Sequence, residues 1–369
     1  MSDSAVADIC ARAQIIVTCG TGGVGKTSVA AALGLQAAQS GRRVVVITID
    51  PARRLADAIG LGEGIGNEIQ RVPLETTGEL WVTMLDVQET FDSLVRDTSP
   101  NPQRAEEVMN NSFYRSLSRS LSGTRDYMAA ERLHCLYNDP RFDLVIVDTP
   151  PSRNALDFLE SPERLARFLK HPIVKVMVAP GRGGFRLANA AMQPVLKAIS
   201  MVVGGDALTG AAAFLRAFDG METEFSRRAL AVARTLRSDA TQFVIVAAPS
   251  PDALAEADFF VSELSRLKIT LRLIVSNRMP PRFDALTVAS EHALAQATTG
   301  DVAIAHELVA GLCEDADLAD LGVGAFIHRT KITFPQVEVA SATELSTDIH
   351  DMESIGTLAH QLAAPPAQQ

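Results

Sequence analysis

The chain has 369 residues, of which 47% are apolar and only 5% aromatic, enough for one large domain with an aliphatic core. Its formal net charge of -10 shows no basic footprint of the kind duplex nucleic acid selects, so no nucleic-acid partner is expected. Residues 1–11 carry no basic segment ahead of an apolar run, and no stretch reaches the ~18 uninterrupted apolar residues of a membrane span, so a cytoplasmic protein is expected.

The first predicted element is the β-branched run Ile15-Ile16-Val17-Thr18, which reads as a buried parallel strand. It leads into Gly20-Thr21-Gly22-Gly23-Val24-Gly25-Lys26-Thr27, which fills the phosphate-loop pattern G-x-x-x-x-G-K-[ST]. From Thr27 through Ser28 to Leu35 the composition is helical, so the loop joins a strand to a helix, as the pattern requires. The glycines let backbone N–H groups turn inward toward phosphate oxygens, and the helix N-terminus adds partial positive charge there. Lys26 is expected to reach the β- and γ-phosphates, the Thr27 hydroxyl to ligate magnesium, and Ser28 to touch the α-phosphate. Gly20 through Ser28 are thus candidate nucleotide-binding residues.

The second strand, Arg43 to Ile49, ends at Asp50-Pro51-Ala52. Trp81 to Asp86 reads as another strand, and residues 87–137 are helical by pattern, with Phe91, Leu94 and Val95 on one face. A further strand, Asp143 to Val147, ends at Asp148-Thr149-Pro150-Pro151. In an open parallel sheet the C-terminal strand edge is where ligands bind. Asp148 there fits a magnesium-holding carboxylate acting through water, and Asp50 one that orients or deprotonates the attacking water. Lys26, Asp50 and Asp148 are the candidate catalytic residues, with Thr27 and Asp148 on the metal.

Residues 155–236 again read as helical, broken by a loop at Ala179-Pro180-Gly181-Arg182-Gly183-Gly184. Strands resume at Phe243 to Val246 and at 269–276, where Val275-Ser276 leads to Asn277. That side-chain amide offers a donor and an acceptor, which suits the Watson–Crick edge of adenine. Residues 281–325 read as mostly helical, Lys331 to Val339 as a last strand, and Asp348 to Ala363 as a closing helix with a stripe of Ile349, Met352, Ile355, Leu358 and Leu362. The tail 364–369 is expected to be disordered. There is one phosphate loop and no internal repeat. Cys10, Cys19, Cys135 and Cys313 form no C-x-x-C, so buried free thiols are expected rather than a zinc clip.

Together these pieces resemble the arsenical-pump ATPase (ArsA) family, P-loop NTPases of the SIMIBI class, and its relatives that deliver tail-anchored membrane proteins. The resemblance rests on Gly20 to Thr27, Thr48-Ile49-Asp50-Pro51-Ala52, Asp148-Thr149-Pro150-Pro151-Ser152 and Val275-Ser276-Asn277, in the family's order. The nearest likeness is to bacterial single-domain anion-transporting ATPases. It implies an α/β fold, a doubly wound and mostly parallel sheet with an inserted helical subdomain. One domain over 1–369 is expected, with helical insertions at about 87–137 and 155–236. It also implies ATP or ADP with Mg2+, switch roles for Asp50 and Asp148, an adenine-reading role for Asn277, and a nucleotide-gated dimer.

Some positions depart from the family. The resemblance implies a lysine at Thr21 that crosses the dimer interface to the partner's nucleotide. A homodimer of this chain lacks that charge twice over, unless Arg53, Arg54 or Arg182 replaces it. A heterodimer with a lysine-bearing paralogue would receive it on the nucleotide this chain holds. The apolar stretch from Val174 to Val203, with Met177, Met192 and Met201, reads first as helix packing and second as a groove for a client helix of a membrane protein. The scattered cysteines weigh against a metalloid pump. Two alternatives stand beside the ATPase: a weakly active scaffold for an active paralogue, and a MinD/ParA-like spatial organiser. The closing helix has no lysine or arginine to meet anionic lipid, which counts against the latter.

Overall fold

The computed structural model describes residues 4–50, 54–60, 68–111, 114–115, 122–150, 157–170, 221–282, 296 and 302–364. The loop at Ala179–Gly184, the stretch Val174–Val203 and Arg53 lie outside them, as do residues 365–369 of the tail.

The chain divides into two compact units. The first holds residues 1–84, 140–155 and 241–369 and contains the sheet. Its strands are β1 (Ile15–Cys19), β2 (Arg43–Thr48), β3 (Gln70–Arg71), β4 (Glu79–Met84), β5 (Leu144–Asp148), β6 (Thr241–Ala247), β7 (Leu271–Met279) and β8 (Glu338–Thr343). They lie in the order β3-β4-β2-β5-β1-β6-β7-β8. All neighbours are parallel except the short β3–β4 edge pair. Every residue of β1 and β5 is buried, as expected for strands covered on both faces. This is the expected doubly wound α/β class. Register does the positioning: Thr18 of β1 and Thr48 of β2 both pair with Asp148 of β5. Three strand ends therefore converge on one edge.

The covering helices are α1 (Ala5–Arg12), α2 (Lys26–Gln39) and α3 (Arg54–Ala58), and later α9 (Pro251–Arg266), α10 (Val302–Thr333) and α11 (Met352–Ala363). α1 was not anticipated; Ser4 caps it by accepting from the Ala7 N–H at 3.1 Å, and Val6, Ile9 and Cys10 enter the core. α2 is alanine-rich and buried for most of its length between strands and helices. α11 begins with a capping box at Asp351 and Ser354. Its predicted stripe goes into the core: Ile355, Leu358 and Leu362 are buried, with Ile349 and Met352 packed alongside.

One expectation fails. Lys331 to Val339 is not one strand: Lys331 to Thr333 are helical, and only Glu338 and Val339 belong to a strand. α10 runs on to Thr333, and the last strand is β8, Glu338–Thr343. Ile332 and Thr333 are strand formers, but they directly continue a long helix, and adding one hydrogen-bonded residue at a time to an existing helix outweighs that preference. The Thr330 hydroxyl donates to the Phe326 carbonyl at 2.9 Å, and the Phe334 N–H to Thr330 O at 2.8 Å. Pro335 then stops the helix.

The second unit holds residues 85–139 and 156–240, and its described elements are helices. They are α4 (Val87–Thr98), α5 (Pro102–Met109), α6 (Ser122–Tyr137), α7 (Asp157–Lys170) and α8 (Glu222–Leu236). Leu94, Val95, Val108, Tyr114, Met128 and Phe225 form much of its core. Glu131 is 1% exposed there, but not unpaired. The Arg228 guanidinium donates to Oε1 at 2.5 Å and the Tyr127 hydroxyl to Oε2 at 3.1 Å, so the buried charge is matched. No described helix is long and apolar enough to cross a membrane.

Candidate nucleotide site

The phosphate loop leaves β1 at Cys19 and enters α2 at Lys26. Two of its glycines are irreplaceable on steric grounds. At Gly20, with φ 152°, a Cβ would meet the Val246 carbonyl oxygen at 2.3 Å. At Gly25, with φ 89°, it would meet Asn277 Nδ2 at 2.3 Å. Alanine at 25 therefore combines a left-handed backbone with a collision against a site residue. Gly25→Ala is expected to weaken nucleotide binding at least about tenfold, and an unchanged affinity by calorimetry would contradict this geometry.

Lys26 is 6% exposed, and its ammonium donates to the Thr21 carbonyl at 2.7 Å across the loop. The Thr21 side chain is not used in that bond. Thr21 lines a cavity of about 580 Å3 with Gly22, Gly23, Val24 and residues around Ser250.

Thr48, to which the sequence assigns no role, joins the Asp148 carboxylate to the backbone of Asp50. The Thr48 hydroxyl donates to Asp148 Oδ2 at 3.0 Å and lies 3.3 Å from the Asp50 N–H. Thr27 donates to the same Oδ2 at 2.8 Å. Thr48 sits two residues before Asp50 at a strand end and opens the Thr48-Ile49-Asp50-Pro51-Ala52 piece of the family resemblance, but nothing in the sequence pairs it with Asp148. Asp148 is 1% exposed, and its other oxygen, Oδ1, is buried without a hydrogen-bond partner. Burial pushes its pKa up to about 6, opposed by the Thr27 and Thr48 hydroxyls and Lys26, with Asp50 adding to the rise. A buried carboxylate oxygen with no partner, beside a threonine hydroxyl at the phosphate loop, fits a magnesium ion and its waters. Among the described residues there is no cluster of three His, Cys, Asp or Glu side chains that would hold a metal by protein ligands alone.

Asn277 lies at the end of β7, 5% exposed, and its Nδ2 donates to the Val24 carbonyl at 2.8 Å. The reverse amide orientation would set two acceptors together, so Oδ1 is the group left for a ligand. Asn277 lines a cavity of about 210 Å3 with Gly25, Ser28 and the segment Thr343–Ile349. That segment also went unrecognised, because the last strand was placed too early in the chain.

The cysteines are free. Burial pushes Cys10 and Cys19 up to about 12 and Cys135 to about 11, which keeps these three thiols protonated at neutral pH.

The phosphate loop, Asp50 and Asp148 all fall within residues 13–298, which match the model of the anion-transporting ATPase family. The chain belongs to this family. It is 25% identical over 260 residues to ATPase GET3 of Rhodotorula glutinis, covering 70% of the chain. It is 26% identical over 275 residues to ATPase ARSA2 of Chlamydomonas reinhardtii, again 70% of the chain. It is 29% identical over 157 residues to the arsenical pump-driving ATPase of Escherichia coli, 41% of the chain. The matches span 68%, 66% and 26% of those proteins' lengths respectively. The enzyme class carried by the family and by these relatives is that of an ATPase.

Proposed function

We propose that this family member binds and hydrolyses ATP with magnesium in a nucleotide-gated dimer that handles a client protein or regulates a membrane partner. The observation that carries the proposal is the orphaned Oδ1 of Asp148 beside Thr27 at the mouth of the phosphate loop. The loop amides receive the phosphates, and Lys26 exchanges the Thr21 carbonyl for the β- and γ-phosphate oxygens. Thr27 would hold magnesium directly and Asp148 through water; the ion supplies neutralisation of charge on the phosphate oxygens. Asp50 orients the attacking water. Thr48 links its backbone to Asp148 through one hydroxyl. Asn277 offers its free Oδ1 to the adenine amino group; guanine would present an oxygen there and be repelled.

Thr21 supports a second reading. Without a cation to lend across an interface, a homodimer is a slow enzyme, and the chain serves as the nucleotide-holding scaffold of an active paralogue. Magnesium-dependent phosphate release from ATP, measured for the chain alone and mixed with a lysine-bearing paralogue, separates the two. Release by the mixture alone favours the scaffold, and no release by either sample sinks both.

A further inference from the structure

Arg278 follows Asn277 and is, among the described residues, the only cation lining either cavity beside the phosphate loop. Its backbone is left-handed, with φ 58°, a conformation that costs a residue with a Cβ about 1 kcal/mol or more. The cause is a bulge. Ser276 pairs with Ser341 and Met279 with Thr343, so Asn277 and Arg278 together oppose the single residue Ala342 on β8. Bulges of this kind re-aim side chains at the rim of a sheet. Here the bulge leaves Asn277 buried against the loop and Arg278 exposed on the wall shared by the two cavities. Asp252 and Glu256 line one cavity and Glu344 and Asp348 the other, yet Arg278 pairs with no described residue. A strained backbone that holds an unpaired arginine is not explained by ion pairing within the fold.

We propose that the Arg278 guanidinium lies over the adenine ring of the bound nucleotide, with the Asn277–Arg278 bulge aiming it there. This rests on the nucleotide reading above and adds a base contact to it. Two observations favour the base over the phosphates. Glu344 and Asp348 line the same cavity as Asn277, and their charge repels phosphate but tolerates a neutral ring that carries an amino group. A guanidinium is planar and stacks on aromatic faces, where an ammonium makes only a point contact.

The test measures binding of ATP, ADP and inorganic tripolyphosphate, each with magnesium, to the full chain by calorimetry, with the unfolding midpoint of each variant. Arg278→Gly is expected to lose about tenfold in affinity for ATP and ADP alike and to keep its affinity for tripolyphosphate. Its unfolding midpoint should stay level or rise, because glycine adopts φ 58° without strain. Arg278→Lys should recover only part of the loss. Unchanged nucleotide affinity, an equal loss for tripolyphosphate, or an effect on turnover alone would each overturn the stacking role while leaving the nucleotide site intact. Wild-type protein that binds neither ATP nor ADP would remove the site itself, and the stacking role with it.

Discussion

Thr21→Lys is expected to raise the ATP turnover of the unmixed chain by about 10³-fold, the scale of a cation delivered to phosphoryl transfer in trans. Nothing in the fold opposes the change. Lys26 bonds to the backbone carbonyl of Thr21, which any side chain preserves. Thr21 lines a cavity of about 580 Å3 together with Gly22 and Gly23, so there is space beside this position for a longer side chain. A cation acting across an interface makes turnover per chain rise with protein concentration until the dimer is saturated. That dependence, measured on the variant, separates a trans effect from a local one. Brisk turnover by wild-type protein, or a Thr21→Lys variant no faster than wild type at any concentration, would defeat the argument for unequal subunits.

Asp148→Asn is expected to cut magnesium-dependent hydrolysis by about 10³-fold and, at neutral pH, to make the protein more stable. The two effects share a cause. Burial lifts the folded-state pKa of Asp148 from its ordinary 3.8 to about 6. Between those values the folded state holds the proton more tightly than the unfolded chain, so stability falls as pH rises through this window and the penalty is complete above about 6. Asparagine carries no charge to desolvate and avoids that penalty, which is on the order of 3 kcal/mol. Urea unfolding at pH 4 and pH 7.5 should show the variant's advantage only at the higher pH. An advantage of equal size at both would assign it to packing instead. Saturating magnesium and ATP should shrink the gap for the wild type, since binding to the folded state stabilises it by mass action.

Much of the fold and part of the site are legible in the residues themselves. The strands at Ile15, Arg43, Leu144 and Phe243 announce themselves as β-branched runs, because strands buried on both faces leave no room for polar alternation. The phosphate loop is legible because its chemistry needs glycine at fixed offsets and lysine and threonine at its end. Asp50 and Asp148 are legible as carboxylates closing apolar runs. The failures have a common origin. β8 is short and only half-buried, so neither alternation nor apolarity marks it, and a helix of 32 residues ran through the place where a strand was expected. With β8 misplaced, the cavity wall at Thr343–Ile349 went unread.

By itself, then, the sequence determined the chemistry this chain can offer: a phosphate loop, two carboxylates, one amide, and a threonine where the family resemblance implies a lysine. Each is a local property, set by residue type and spacing. Tertiary structure alone decided what those groups do to one another. Parallel register brings Thr48, Thr27 and Asp148 together over separations of 100 and 121 residues. Packing leaves one carboxylate oxygen buried and without a hydrogen-bond partner. A bulge between β7 and β8 turns Asn277 inward and Arg278 outward. None of these is encoded in a window of neighbouring residues, because each depends on strands meeting in a sheet whose order is not the order of the chain.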